Sequence, residues 1–306
     1  MSDDYKKYLQ PETVSKLKTI ELKAKLIVEG FITGLHKSPY HGFSVEFAEH
    51  RQYAAGDELR HLDWRVFART DKYYVKQYEE ETNLRSYILL DTSSSMCYSS
   101  GEKVLPKIEY AAYLSAALSV MMLQQRDGIG LVTYGDELQK FIPPRLTPSH
   151  QNLILQTLHK ASQLVSGTKG LRTNSAKSLS QIAERIQKRG LIIVMSDFLD
   201  EPEKIISALK HFRHRRHEVI VFHIVDPKER SFEFDGDAEI VDVETGETMM
   251  TSPQQIKSAY RAAFDAFTRR YRSELTESNI DYNLLDTSQP FGDALLAYLK
   301  KRNAVK

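Results

Sequence analysis

The sequence predicts an α/β fold: a doubly wound, mostly parallel sheet flanked by helices, preceded by an N-terminal extension. Three observations lead there. Short apolar runs without polar alternation, Tyr87-Ile88-Leu89-Leu90 and Gly190 to Ser196 (GLIIVMS) among them, read as strands buried on both faces. From residue 85 onward such runs alternate with longer stretches of helical period. The stretch Lys107 to Gln125 is apolar nearly all round, as befits a central helix packed deep against a sheet.

Taken in order, Leu17, Ile20, Ala24, Ile27, Val28 and Phe31 recur at helix spacing, and Glu21 can pair with Lys25 one turn on. Gly34 and Pro39 are expected to stop that helix. Residues 40–84 differ in character, dense in charge and aromatics (Arg51, Tyr53, Asp57, Arg60, Asp63, Trp64) with no clean period. Their Arg51/Arg60/Arg65/Arg69 and Glu46/Glu49/Asp57/Asp63 sets read either as a partner-binding face or as internal ion pairs. Glu79-Glu80-Glu81 reads as solvated linker.

The first sheet strand ends at Asp91, and the helix Lys107 to Gln125 follows it. Gly128 to Tyr134 is a second strand, and Leu138 to Ile142 a third, antiparallel at the edge. Helices are expected over 149–164 and 174–188, then the strand ending at Ser196, a helix near 202–215 and the strand Glu218 to Val225. Ala238 to Met250 reads as a hairpin turning at Thr245-Gly246. A helix over 253–278, a strand over 280–285 and a helix over 291–302 complete the pattern. Residues 1–84 then form a helix and extension that wrap the sheet of residues 85–302, since they hold too few periodic apolar residues for a core of their own.

Composition narrows the function classes. Lys and Arg number 42 against 41 Asp and Glu, a net charge of +1, which argues against a dedicated nucleic-acid binder with its strongly basic face. The single cysteine, Cys97, excludes an internal disulfide and a multi-cysteine metal site, and it reads as a packing residue. Met1 to Gln10 is polar, without the apolar core of a signal peptide. The longest apolar stretch, Ala111 to Leu123, falls short of the ~20 residues of a spanning helix. The expectation is a cytoplasmic protein with no membrane span.

Ligands of doubly wound sheets bind beyond the carboxyl ends of the strands, so the residues after Leu90 and Ser196 matter most. After the first comes Asp91-Thr92-Ser93-Ser94-Ser95, and after the second Asp197. Gly170-Leu171-Arg172-Thr173-Asn174 places Thr173 at the mouth of the helix expected over 174–188. Asp91, Ser93, Ser95, Thr173 and Asp197 together offer two carboxylates and three hydroxyls. An all-oxygen set suits a hard divalent cation: Mg²⁺ first, with Mn²⁺ or Ca²⁺ as alternatives. An isolated Asp/Ser run after a strand is more often a helix cap. Three such loops at the right topological points favour the cation.

These five positions resemble the metal-ion-dependent adhesion site of von Willebrand factor A domains, over roughly residues 85–300. The resemblance implies that the first serine and the threonine bind the cation directly, that one aspartate acts through water, and that a partner's acidic side chain completes the octahedron. A longer block narrows the match: Gly42-Phe43-Ser44-Val45-Glu46-Phe47, Arg51-x-Tyr53, Gly56-Asp57-x-x-Arg60-x-x-Asp63-Trp64 and Ala68-Arg69-Thr70. It is similar to the signature of the bacterial domain-of-unknown-function family fifty-eight (DUF58), whose members are commonly encoded beside MoxR-type AAA+ ATPases. That resemblance implies an adaptor or co-chaperone role with such an ATPase, and no catalytic residue.

Two other classes compete. A metal-dependent phosphohydrolase would use Asp91 as nucleophile, as haloacid-dehalogenase-like enzymes do. Those enzymes place a second aspartate where this chain has Ser93, and no lysine stands out near Asp197. The run His211-Phe212-Arg213-His214-Arg215-Arg216-His217 could serve nucleic acid, but reads first as a solvated helix end whose cations favour the C-terminal dipole.

Overall fold

A short helix, α1 (Pro11–Ser15), and a long one, α2 (Ile20–Lys37), come first, followed by a ribbon of β1 (His50–Gln52) paired antiparallel with β2 (Tyr74–Lys76). The computed structural model describes residues 9–37, 50–52, 67, 69, 73–76, 84–164, 175–234, 238–241 and 248–305. Then come β3 (Arg85–Asp91), α3 (Lys107–Gln124), β4 (Gly128–Tyr134), β5 (Leu138–Arg145), α4 (Pro148–Ser162) and α5 (Ser175–Arg185). The rest of the chain is β6 (Leu191–Ser196), α6 (Pro202–His214), β7 (Glu218–Val225), α7 (Pro227–Ser231), β8 (Ala238–Val241), β9 (Thr248–Thr251), α8 (Pro253–Glu277), β10 (Ile280–Asp286) and α9 (Gly292–Val305).

Six strands form the main sheet in the order β10-β7-β6-β3-β4-β5, parallel except for β5, which pairs antiparallel with β4. Numbered within the sheet this is the doubly wound order 3-2-1-4-5-6, whose direction of growth reverses between β3 and β6. The predicted fold class is therefore the observed one. Every residue of β4 and β6 is buried, which explains the unalternating apolar runs. Their side chains point alternately to two cores. Ile88, Leu90, Ile129, Leu131, Ile193 and Phe222 pack under α2, α3, α4 and α9. Leu89, Val132, Ile192, Val194 and Val221 pack under α5, α6 and the C-terminal part of α8.

The edge of the sheet is shaped by Pro143 and Pro144 in β5. Neither has an N–H to give, and the pairing with β4 slips between Ile129 and Leu131. Gly130 sits at the slip, where a Cβ would come within 2.7 Å of the Ile142 carbonyl oxygen and 3.0 Å of the Pro144 nitrogen.

Gly34 does not stop the first long helix. α2 runs through it to Lys37, because Ile20, Ala24, Ile27, Val28 and Phe31 are buried in the same core as α3, and that packing outweighs the ~1 kcal/mol helix penalty of one glycine. Pro39 lies outside the described residues, as do Thr245-Gly246 and nearly all of the 42–70 block. The helix expected over 174–188 is shorter, Ser175–Arg185, and the last helix runs on to Val305. α7 was not anticipated. It is too short for a hydrophobic period, but Asp226-Pro227-x-Glu229 forms a capping box in which Asp226 accepts from the Lys228 N–H and Glu229 from the Asp226 N–H.

Candidate functional site

β3 and β6 are neighbours at the reversal point, so the residues that end them meet at one rim. Asp91, the last residue of β3, is 1% exposed and both its oxygens are engaged. Oδ1 accepts the Ser93 N–H at 2.9 Å, and Oδ2 accepts the Ser196 hydroxyl at 2.6 Å. The loop beyond is pinned sideways, with the Thr92 N–H and hydroxyl both donating to the Tyr134 carbonyl at 2.8 Å. A single 3-10 turn, Ser94–Cys97, then places the Ser93 and Ser95 hydroxyl oxygens 3.1 Å apart.

Burial pushes the Asp91 carboxyl from 3.8 up to about 7, with the neighbouring Asp197 adding to the rise and hydrogen bonds from Ser196 and Ser93 opposing it. Asp197 follows β6 and is also buried. Ser196 ties the two strand ends together, since its hydroxyl oxygen also accepts the Phe198 N–H at 3.0 Å. Phe198 adopts a left-handed backbone, φ 51°, and the chain turns outward there to leave Leu199 63% exposed. Below the turn, the buried His223 imidazole packs among Phe198, Phe267, Tyr271 and Tyr282, its Nδ1 bonded to the Tyr282 hydroxyl at 2.6 Å. Burial lowers His223 to about 4, so the ring is neutral.

Asp91, Ser93, Ser95 and Asp197 are thus brought to one rim. Thr173 lies outside the described residues. Three residues of the site escaped sequence reasoning: Ser196, Lys107 and Glu229. The expectation that no lysine stands near Asp197 is corrected here. Lys107, the first residue of α3, is fully buried, with its ammonium 2.8 Å from Asp197 Oδ2 and 2.6 Å from Glu229 Oε1. Burial alone would lower its pKa, but the two carboxylates outweigh burial and hold it above its ordinary range, fully charged. No local signal in the sequence marked it, since the carboxylates it meets lie 90 and 122 positions away.

The other features take structural places. Arg213 bonds the Glu218 carboxylate and the His217 carbonyl, both at 2.7 Å. Arg215 donates to the carbonyls of Ala183 and Glu184 in the last turn of α5, and His217 is buried against the Ile186 carbonyl. Cys97 is half-buried against the core, and burial raises its thiol pKa. Among the described residues no cluster of three or more His, Cys, Asp or Glu could hold a metal, and no helix is long and apolar enough to cross a membrane.

Fold and site together define a doubly wound α/β domain with two carboxylates and a pair of serine hydroxyls at its switch point. The chain belongs to the DUF58 family, described as proteins of unknown function, whose sequence model matches residues 49–274. An uncharacterized protein of Mycobacterium bovis and one of Mycobacterium tuberculosis (strain H37Rv) are each 27% identical over 241 residues, 77% of this chain and 72% of theirs. Similar solved structures include the conserved hypothetical protein BatB from Bacteroides thetaiotaomicron (15% identity, 72% of this chain and 97% of that one, TM-score 0.45). An aerotolerance-related membrane protein from Bacteroides fragilis is similar at 18% identity, 72% and 98% coverage and a TM-score of 0.46. The SpRpn10 VWA domain is similar at 14% identity, 69% and 92% coverage and a TM-score of 0.37.

Proposed function

We propose that this protein is a divalent-cation-dependent protein-interaction module acting as adaptor or co-chaperone to a MoxR-type AAA+ ATPase. The observation that carries the metal part is the 3.1 Å between the Ser93 and Ser95 hydroxyl oxygens beside Asp91. Oxygens bound at right angles to Mg²⁺, each ~2.1 Å from the ion, lie ~3 Å from one another. The two hydroxyls are hydrogen-bonded to each other at a spacing that also matches one edge of an octahedron, and the donor set fits the ion. Ser93 and Ser95 would hold it with Asp91 and Asp197 as charge partners, and Thr173 joins them by resemblance. The bound cation would offer a partner's acidic side chain a Lewis-acidic coordination position. The ATPase partner rests on family resemblance.

Titration of Mg²⁺ by calorimetry into the wild type and an Asp91→Ala/Ser93→Ala double variant tests the site. Binding in the wild type and none in the variant is the expected result, and equal binding removes the site. A pull-down with and without Mg²⁺ tests the partner: an AAA+ ATPase should be retained by the wild type with Mg²⁺ and lost with Asp91→Ala.

Lys107 beside Asp197 gives a second reading one supporting observation, because haloacid-dehalogenase-like phosphohydrolases pair a lysine with a late aspartate. Against it, Asp91 is buried with both oxygens engaged, a poor state for a nucleophile. Mg²⁺-dependent phosphatase turnover abolished by Asp91→Asn would establish the enzymatic reading in place of the first.

A further inference from the structure

Asp197 already has a cation. The Lys107 ammonium sits 2.8 Å from its Oδ2 and is anchored from the other side by Glu229 at 2.6 Å. Glu229 is itself held: its Oε2 accepts the Asp226 N–H at 2.8 Å, and Asp226 Oδ2 accepts the Ser100 N–H at 2.9 Å. Lys107 is fully buried at the start of a helix whose next turns are buried too, so its charge cannot swing away into solvent. A divalent ion arriving beside Asp91 meets a fixed positive charge on the second carboxylate. One carboxylate cannot give its full charge to two cations, and the two cations repel.

We propose that Lys107 is an internal competitor for the divalent cation, an ammonium that takes up the charge of Asp197 and so keeps the cation affinity of the Asp91–Ser93–Ser95 corner low. Glu229 tunes this competition by drawing part of the ammonium's charge away from Asp197. The inference rests on the reading above, in which that corner takes a divalent cation. Its consequence is conditional capture: the corner holds the ion firmly once a further negative oxygen reaches it from outside the chain.

The two neighbours of Asp197 push in opposite directions, which a merely structural role does not produce. Lys107→Met removes the competing charge. Glu229→Gln removes the shared carboxylate while the glutamine oxygen can still accept the Asp226 N–H, so α7 keeps its cap. Mg²⁺ is titrated into the wild type and each variant by calorimetry, with the Mg²⁺-induced shift in melting temperature as second readout. Lys107→Met is expected to bind on the order of tenfold more tightly and Glu229→Gln measurably more weakly, the size expected of one unit charge in a partly screened site. A wild type too weak to titrate beside a Lys107→Met variant that binds also supports the proposal. Equal or weaker binding by Lys107→Met, or equal or tighter binding by Glu229→Gln, overturns it while leaving the metal site standing. No binding and no thermal shift in any of the three proteins overturns both readings. Should Lys107→Met fail to fold, the direction of the Glu229→Gln change decides.

Discussion

Replacing Asp91 by asparagine should stabilise the metal-free protein, and by an amount that depends on pH. Asp91 is 1% exposed, and burial reinforced by Asp197 pushes its carboxyl from 3.8 up to about 7. A carboxyl raised in the folded state prefers its proton there, so ionisation opposes folding. The cost is absent below about pH 4, where both folded and unfolded chains are protonated, and it grows until it is complete above about pH 7. At ~1.4 kcal/mol per pH unit, the distance from 3.8 to about 7 amounts to about 4 kcal/mol.

Asparagine keeps the Ser93 contact through its carbonyl, and its amide can donate to the Ser196 hydroxyl oxygen. That hydroxyl must then turn its own hydrogen elsewhere, a loss of about 1 kcal/mol. The remaining ~3 kcal/mol corresponds to roughly 5–10 °C in melting temperature for a chain of this size. Scanning calorimetry of both proteins with a chelator at pH 5, 6, 7 and 8 is the assay. The wild-type curve alone mixes contributions, because His223, held near 4, loses stability as the pH falls. The difference between the two proteins isolates Asp91. It should be smallest at pH 5 and largest at pH 8; a flat difference, or a wild type more stable at pH 8, would refute the reasoning.

Three further outcomes are expected. Arg302→Ala removes the counter-charge, 2.5 Å away, of the fully buried Asp127, and should lower the unfolding free energy by about 3 kcal/mol in urea titration. Gly130→Ala drives a Cβ into the Ile142 carbonyl oxygen and should cost about 1–3 kcal/mol in the same titration. Because His223 is lowered to about 4, the folded protein keeps it neutral while the unfolded chain protonates it below about pH 6.5, at a cost of about 3 kcal/mol fully developed near pH 4. His223→Gln should therefore lose less stability than the wild type between pH 7 and pH 4.5, measured by urea midpoints.

The sheet was readable because burial on both faces leaves no room for polar alternation, so β3, β4 and β6 appear as bare apolar runs. Asp91, Ser93, Ser95 and Asp197 were readable for a related reason: they stand where those runs end, and runs of that kind share a carboxyl-end rim. Lys107 and Glu229 carried no such mark. Their contact spans 122 positions, and nothing local distinguishes a buried lysine at a helix start from a solvated one. Gly34 misled because a propensity of ~1 kcal/mol is small beside the apolar face that α2 lays on α3. For α7 the capping residues Asp226 and Glu229 were the available clue, since five residues show no period.

The two prolines of β5 bear on how another molecule can approach. An edge strand ordinarily offers a ladder of N–H and C=O groups to a visiting strand, whether from a second copy or from an extended peptide. Pro143 and Pro144 interrupt that ladder, and the slip in pairing at Gly130 bends what remains. Strand addition along this margin is thereby discouraged, both as a route to aggregation and as a mode of recognition. The loops at the strand tips offer a different approach, and there Leu199 stands exposed two residues from Asp197.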